Sequence, residues 1–288
     1  MTKILITGSK GQLGSEILEL APNYHDYSFY FTDVEQLDIT NKNKVDEFVS
    51  RNNINIIINC AAYTAVDNAE TDKKNAKLLN VTAVKYLAQI SAKYDILLVH
   101  ISTDYVFNGM AHTPYKETSP VFTNSVYGKT KLDGENELME FATKAVIIRT
   151  SWLYSSYGKN FLKTMIKYGK EKEQLNVVSD QIGTPTYAAD LAKTILDILP
   201  KIADIEETEI YHYSNEGVAS WYDFAIEIMS IAKIKCKINP IETKDYPLPS
   251  PRPQYGILNK SKIKKELAIE IPYWKDSLKK CIEKINNN

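Results

Sequence analysis

Gly8-Ser9-Lys10-Gly11-Gln12-Leu13-Gly14, preceded by Lys3-Ile4-Leu5-Ile6-Thr7, is the stretch on which the reading of the fold turns. The run before the glycines is short and β-prone. From Gln12 onward Leu13, Ile17, Leu18 and Leu20 read as a helix, so strand, tight turn and helix start follow in that order. Glycines at such a turn adopt positive φ and let the backbone approach a pyrophosphate, while the helix's unpaired N–H groups and dipole attract the anion. The spacing is G-x-x-G-x-x-G rather than G-x-G-x-x-G, with Gly8, Gly11 and Gly14 in the three places. A second strand-like run, Tyr27 to Thr32, ends at Asp33, where a carboxylate can bind the adenosine ribose hydroxyls of a dinucleotide. Lys10 pulls the other way, because an ammonium near the ribose can pair with a 2'-phosphate. NADH and NADPH both stay open.

The first half continues to alternate. Asn41 to Asn52 carries Val45, Phe48 and Val49 at helical spacing, and Ile54 to Ala62 reads as a buried parallel strand. Asp72 to Tyr94 is predicted as one long helix, Asp95 to Ser102 as a strand, Val126 to Ala142 as a helix and Val146 to Arg149 as a strand. Repeated β-α units of this length predict an α/β fold, a doubly wound, Rossmann-like parallel sheet with ligands at the carboxyl ends of its strands. Asn59, Thr103 and Trp152 fall at such ends. After about residue 150 prolines multiply and elements shorten, which predicts a dinucleotide-binding domain over 1–150 and a smaller substrate-binding lobe over 151–288. Ile210 to Ser214 is strand-like and is expected to return to the main sheet, so a clean cut between lobes is not expected. The polar end Asn286-Asn287-Asn288 is expected to fray.

Composition narrows the partners. With 44% hydrophobic and 25% charged residues and a net charge of -1, the chain reads as soluble and globular, without the basic field that would favour nucleic acid or an anionic membrane. Cys60, Cys236 and Cys281 are scattered without C-x-x-C or histidine spacing, which suggests neither a disulfide framework nor a zinc site. Ile4-Leu5-Ile6 is too short for a signal-peptide core and no run approaches a membrane span, so a cytoplasmic protein is expected.

The chemistry rests on Tyr127-Gly128-Lys129-Thr130-Lys131. Reducing a carbonyl by hydride leaves an alkoxide that needs a proton from a group close by. A phenol's ordinary pKa of about 10 is too high for efficient exchange near neutrality, and a cation within a few ångströms lowers it. Lys131, four residues after Tyr127 on one helix face, can do so while reaching a ribose hydroxyl. The strand end Ile101-Ser102-Thr103-Asp104 offers a hydroxyl for the same carbonyl oxygen.

This set resembles the extended short-chain dehydrogenase/reductases. More narrowly, Ser102-Thr103-Asp104-Tyr105-Val106-Phe107, Asn59-Cys60-Ala61-Ala62-Tyr63-Thr64-Ala65-Val66-Asp67 and Arg149-Thr150-Ser151-Trp152-Leu153-Tyr154 resemble the dTDP-4-dehydrorhamnose reductase family. The similarity takes in Gly158 to Met165, Asp180-Gln181-Ile182-Gly183-Thr184-Pro185-Thr186 and Arg252-Pro253, so it spans nearly the whole chain. It implies an NAD(P)H-dependent reductase of a dTDP-sugar. Gly11, Gln12 and Leu13 would contact cofactor phosphate, Asp33, Asp38 and Ile39 the adenosine half, and Ala62, Tyr63 and Thr64 the strand-end part of that site. Thr103, Tyr127 and Lys131 would be the catalytic trio. Asp104, Tyr105 and Trp152 would face the deoxysugar, the indole offering a flat apolar wall and an N–H donor. Asn160, Thr184 and Arg252 would serve the nucleotide-diphosphate end. One departure is visible: Arg252-Pro253-Gln254-Tyr255-Gly256-Ile257-Leu258 lacks the serine usual before that leucine. Glu16 matches an acidic position that joins a metal-linked dimer in some relatives. No further ligands are identifiable, so no metal is assigned; a homodimer stays open.

Two other classes compete. A regulatory subunit on the same fold, like the regulatory chain of methionine adenosyltransferase, is disfavoured by the presence of Thr103, Tyr127 and Lys131 together. A nucleotide-sugar epimerase or dehydratase is disfavoured because the strand-end motif of dehydratases resembles Thr-Asp-Glu, and here Tyr105 stands at the glutamate.

Overall fold

In the computed structural model, which describes residues 1–287, the chain builds a six-stranded sheet from β1 (Thr2–Thr7), β2 (Tyr27–Phe31), β3 (Ile56–Asn59), β4 (Leu97–Thr103), β5 (Ala145–Thr150) and a returning strand, Thr208–His212. Every pairing is parallel, and the order across the sheet is Thr208–His212, β5, β4, β3, β1, β2. The chain leaves β1 toward β2 on one side and comes back to β3 on the other. That reversal opens a crevice at the carboxyl ends of β1 and β3, the place where doubly wound sheets bind ligands.

Helices cover both faces because the strands are apolar on both. On one face α1 (Gln12–Leu20) and Ala188–Ile198 bury Leu13, Ile17, Leu191 and Ile195 against Ile4, Ile6, Ile58 and Val99. On the other, α2 (Lys42–Asn52), Ala83–Tyr94 and Val126–Phe141 bury Val45, Val49, Leu87 and Leu138 against Leu5, Ile57, Leu98 and Ile147. A third apolar cluster, with Phe224, Ile228, Trp274 and Leu278 at its centre, lies under Phe161–Glu171, Trp221–Ala232 and Trp274–Asn287.

Three expectations change in detail. The long helix is interrupted: Lys73–Lys77 and Ala83–Tyr94 are joined through a π turn, Leu78–Thr82, a one-residue slip that apolar spacing does not reveal. The returning strand begins earlier, at Thr208, because it pairs with β5 from its first residue, Ala145, through Arg149. Asn286 and Asn287, expected to fray, complete the last helix, and Asn288 lies outside the described residues. No helix among the described residues is long and apolar enough to cross a membrane.

Candidate active site

A cleft of about 1120 Å³ runs along the carboxyl ends of β1, β3, β4 and β5. At one end lies the glycine turn. Gly8 has φ +64°, and a Cβ there would stand 2.7 Å from the Ala61 nitrogen, so the turn and the loop after β3 touch only because Gly8 has no side chain. Gly14 does not line the cleft. A Cβ on it would stand 2.4 Å from the Gly8 carbonyl oxygen, so it serves the close seating of α1 on the turn. Gly11 is the N-cap of α1 and offers no side-chain cap, which leaves the helix's first N–H groups to the cleft that Gly11, Gln12 and Leu13 line.

Asp33, Asp38 and Ile39 line the same end. The Asp33 carboxylate accepts the backbone N–H of Lys10 at 2.9 Å and of Val34 at 2.8 Å, so it also fixes the turn. The Lys10 ammonium is paired with Glu35 at the surface, and that hydrogen bond raises its pKa. Asp38 accepts from the backbone and hydroxyl of Thr40. Ala62, Tyr63 and Thr64 form the wall above β3. Tyr63 is pinned by Asn80 from the π turn, which accepts its N–H at 2.8 Å and donates to its carbonyl at 3.1 Å. The interrupted helix thus places a polar clamp behind the cleft.

Thr103, Asp104, Tyr105, Tyr127 and Lys131 converge further along. Ser125 caps the helix Val126–Phe141 by accepting the Gly128 N–H at 3.0 Å, which fixes the turn that carries Tyr127. Burial pushes the Tyr127 phenol up to about 12, the Thr103 hydroxyl working against that rise and Asp104 with it. Burial also pushes the Asp104 carboxyl up to about 7 and holds Tyr105 far above the ordinary phenol range. The Tyr105 ring meets Tyr127 edge to face, centroids 5.3 Å apart. Nζ of Lys131 donates to the Ile101 carbonyl at 2.6 Å and lies 3.3 Å from Nε2 of His100. Burial lowers the Lys131 pKa to about 8, with Glu135 pulling it back up.

Trp152 follows β5 with φ +46°, a left-handed conformation costly for a non-glycine residue and concentrated at functional sites. Its indole stacks on Trp221, centroids 3.6 Å apart, and a Cβ on Gly183 would come within 2.4 Å of its ring. Trp221 therefore takes one face of the indole that the sequence reading gave to a sugar. Asn160 lines the cleft but its side chain is engaged: it caps Phe161–Glu171 and donates to Gln12, Ser155 and Tyr157. Thr184 is not brought to the cleft. It is fully buried with its hydroxyl on the Gly217 carbonyl, beside the antiparallel pairing of Ile182–Gly183 with Ala219–Ser220. Arg252 lines a second cavity of about 420 Å³, beside Phe161, Gln181 and Tyr246, and forks onto Asp67 at 2.9 and 2.7 Å. Glu16 accepts from Ser155 at 2.6 Å and Lys284 at 2.7 Å.

A family profile described as the RmlD substrate binding domain matches residues 1–287. The chain belongs to this family. A dTDP-4-dehydrorhamnose reductase of Aggregatibacter actinomycetemcomitans is 40% identical over 287 residues, covering 97% of this chain and 98% of that one. A crystal structure of such a reductase from Clostridium acetobutylicum matches with TM-score 0.94 and 41% identity, over 99% of this chain and 100% of that chain. Another from Bacillus anthracis, in complex with NADP, matches with TM-score 0.93 and 38% identity over the same shares. Against this RmlD-family background, the sequence reading missed Trp221, which lines both cavities, and Asn80. Ser220-Trp221-Tyr222-Asp223, a reciprocal cap at a helix start, was the available signal for the first. Periodicity carried none for the second.

Proposed function

We propose that the chain reduces the C4 keto group of dTDP-4-dehydro-L-rhamnose to dTDP-L-rhamnose with NADPH or NADH. The observation that carries the reading is the arrival of Thr103, Tyr127 and Lys131 from two separate elements at one wall of the cleft whose far end is the glycine turn. The turn fits a dinucleotide: Gly8 and Gly14 have no room for a Cβ, and the Gly11 end of α1 is uncapped. The bound nicotinamide supplies the hydride. Tyr127 gives its proton to the sugar oxygen, Thr103 holds that oxygen by a hydrogen bond, and Lys131 returns a proton to the phenolate.

The structurally described relative in complex with NADP supports use of a nicotinamide dinucleotide here. Asp33 favours an unphosphorylated ribose, and Lys10, held by Glu35 at the same end of the cleft, is the cation to serve a 2'-phosphate. The second cavity, with Arg252 on its wall, is the place for the nucleotide-diphosphate end, and Trp152 and Trp221 stand between it and the reacting sugar. Division of labour follows the lobes, residues 1–150 with their returning elements holding the dinucleotide and most of 151–288 the sugar nucleotide. Against an epimerase or dehydratase, Tyr105 is a poor substitute for a carboxylate, since burial keeps its phenol protonated.

Tyr127→Phe tests the assignment. Loss of a positioned acid is expected to lower kcat by roughly a hundred- to ten-thousand-fold with cofactor affinity little changed. The assay follows oxidation of NADPH or NADH against dTDP-4-keto-6-deoxy sugars; a near-normal rate in the folded variant would remove Tyr127 as donor.

A further inference from the structure

Behind Lys131 lies a polar row that no step above uses. Thr7, Asn59 and His100 are register partners across β1, β3 and β4, so their side chains leave the sheet on the same face, one step beyond Leu5, Ile57 and Leu98. All three are 1% exposed and Lys131 is 2% exposed. The Thr7 hydroxyl donates to Oδ1 of Asn59 at 2.6 Å, Nδ2 of Asn59 faces Nδ1 of His100 at 2.9 Å, and Nε2 of His100 faces Nζ of Lys131 at 3.3 Å. Four buried polar side chains in file, three near the carboxyl ends of apolar strands and one on the helix packed against them, require a reason, because each is costly there unless paired.

The donor and acceptor inventory gives direction to the row. Thr7 occupies the oxygen of Asn59, so the amide nitrogen faces the ring, and an amide nitrogen only donates. Nδ1 of His100 therefore accepts. The ring is neutral, since burial first and the neighbouring Lys131 second hold its pKa well below the ordinary value, and a neutral ring with Nδ1 free carries its proton on Nε2. That N–H points at Nζ. An ammonium has three donors and no acceptor, so it meets the N–H head-on; a neutral amine has a lone pair to receive it.

We propose that His100 is a positioning residue for Lys131: Thr7 and Asn59 fix its tautomer with Nε2–H toward Nζ, so that Lys131 releases its proton readily and acts as a relay rather than a fixed cation. The proton balance is simple. Tyr127 gives a proton to the sugar oxygen, Lys131 passes one to the resulting phenolate, and water in the cleft reloads the amine. A relay works best when its proton affinity lies near the working pH. The other titratable groups on the elements that meet Lys131 are Glu135 and Tyr127 on its own helix, Asp104 after β4, Arg149 on β5, which is paired with Glu135, and Cys60 and Tyr63 after β3. Of these Glu135 raises the lysine's proton affinity, opposite in sense to the row.

The inference rests on the reading of Lys131 given under Proposed function, and the two are separable. Thr7→Val removes the hydroxyl that orients Asn59 without changing any charge; Asn59 then turns its oxygen to the ring, the ring proton moves to Nδ1, and Nε2 accepts from the ammonium. His100→Gln offers Nζ an oxygen directly. Lysine ε-carbon NMR titration of the cofactor-free protein, with the Lys131 signal assigned by Lys131→Met, should place wild-type Lys131 near 8. Each variant should titrate higher by roughly half to one pH unit, with the alkaline limb of kcat rising alongside and KM unchanged. An upward shift in whichever variant folds supports the proposal, whereas no shift or a downward shift overturns it. A Lys131→Met enzyme with wild-type rate and limb would instead sink the relay role of Lys131 itself.

Discussion

Gly8 and Gly11 stand three residues apart in one turn, yet replacing each by alanine should do different things. At Gly8 the backbone is left-handed, φ +64°, which costs an alanine about 1–2 kcal/mol. Its Cβ would also stand 2.7 Å from the nitrogen and 2.8 Å from the Cα of Ala61 and 2.9 Å from the Cys60 carbonyl carbon, all backbone atoms that cannot rotate aside. Forcing them apart costs about 1–3 kcal/mol, as overpacking does, and the stiffer unfolded chain returns about 0.4–1 kcal/mol. Gly8→Ala should therefore lose about 2–4 kcal/mol, a large share of the 5–15 kcal/mol typical of a folded domain. Gly11 has φ -74°, and its added Cβ meets only the Gly8 carbonyl oxygen, at 3.1 Å, with open space beyond. Gly11→Ala should cost about 1 kcal/mol or less in stability but place a methyl where the dinucleotide phosphate is proposed to lie, weakening NADPH roughly tenfold or more. Urea unfolding followed by circular dichroism reads the first quantity and NADPH fluorescence titration the second. Equal destabilisation by the two variants, or wild-type affinity in Gly11→Ala, would refute the division of roles.

Arg149→Met should be among the most damaging changes outside the cleft, because Glu135, fully buried, accepts from Nε and from Nη2 at 2.7 Å and would lose the guanidinium paired with it, keeping only the Ser102 hydroxyl as a direct donor. A loss of about 3–5 kcal/mol is expected from urea midpoints, and a loss under about 1 kcal/mol would contradict the burial argument. Trp221→Ala should raise KM for the sugar nucleotide by about three- to tenfold by removing the stacking partner of Trp152, while cofactor affinity stays unchanged. Unaltered KM would confine Trp221 to packing.

What the sequence made legible, and what it hid, follows the range of the interactions involved. Lys3 to Thr7 and Ile54 to Ala62 announced strands because their apolar runs are local properties, and the glycine turn between strand and helix announced its own geometry. Tyr127 and Lys131 were legible for the same reason, four residues on one helix. His100 was not: inside Leu97–Thr103 it reads as one more buried strand residue until its register partner Asn59 is known. Arg252 and Asp67 are 185 residues apart, and no periodicity joins them. Thr184 shows the opposite failure. It sits in a motif that points to ligand binding, yet its hydroxyl donates to the Gly217 carbonyl, and a residue type alone does not tell the two uses apart.

The strand Thr208–His212 that covers β5 and forms the sheet's edge also sets an order of events for a chain leaving the ribosome. All six residues of β5 are buried in the finished protein, four of them being Ala145, Val146, Ile147 and Ile148. Until residue 212 has emerged, one side of that strand presents unpaired backbone groups and apolar side chains to the cell. An open apolar edge of this kind recruits other strands. A nascent chain paused, or a fragment ended, near residue 150 would hold the entire glycine turn and the Tyr127 helix and still be sticky, so solubility of the nucleotide-binding half depends on a segment made some sixty residues later.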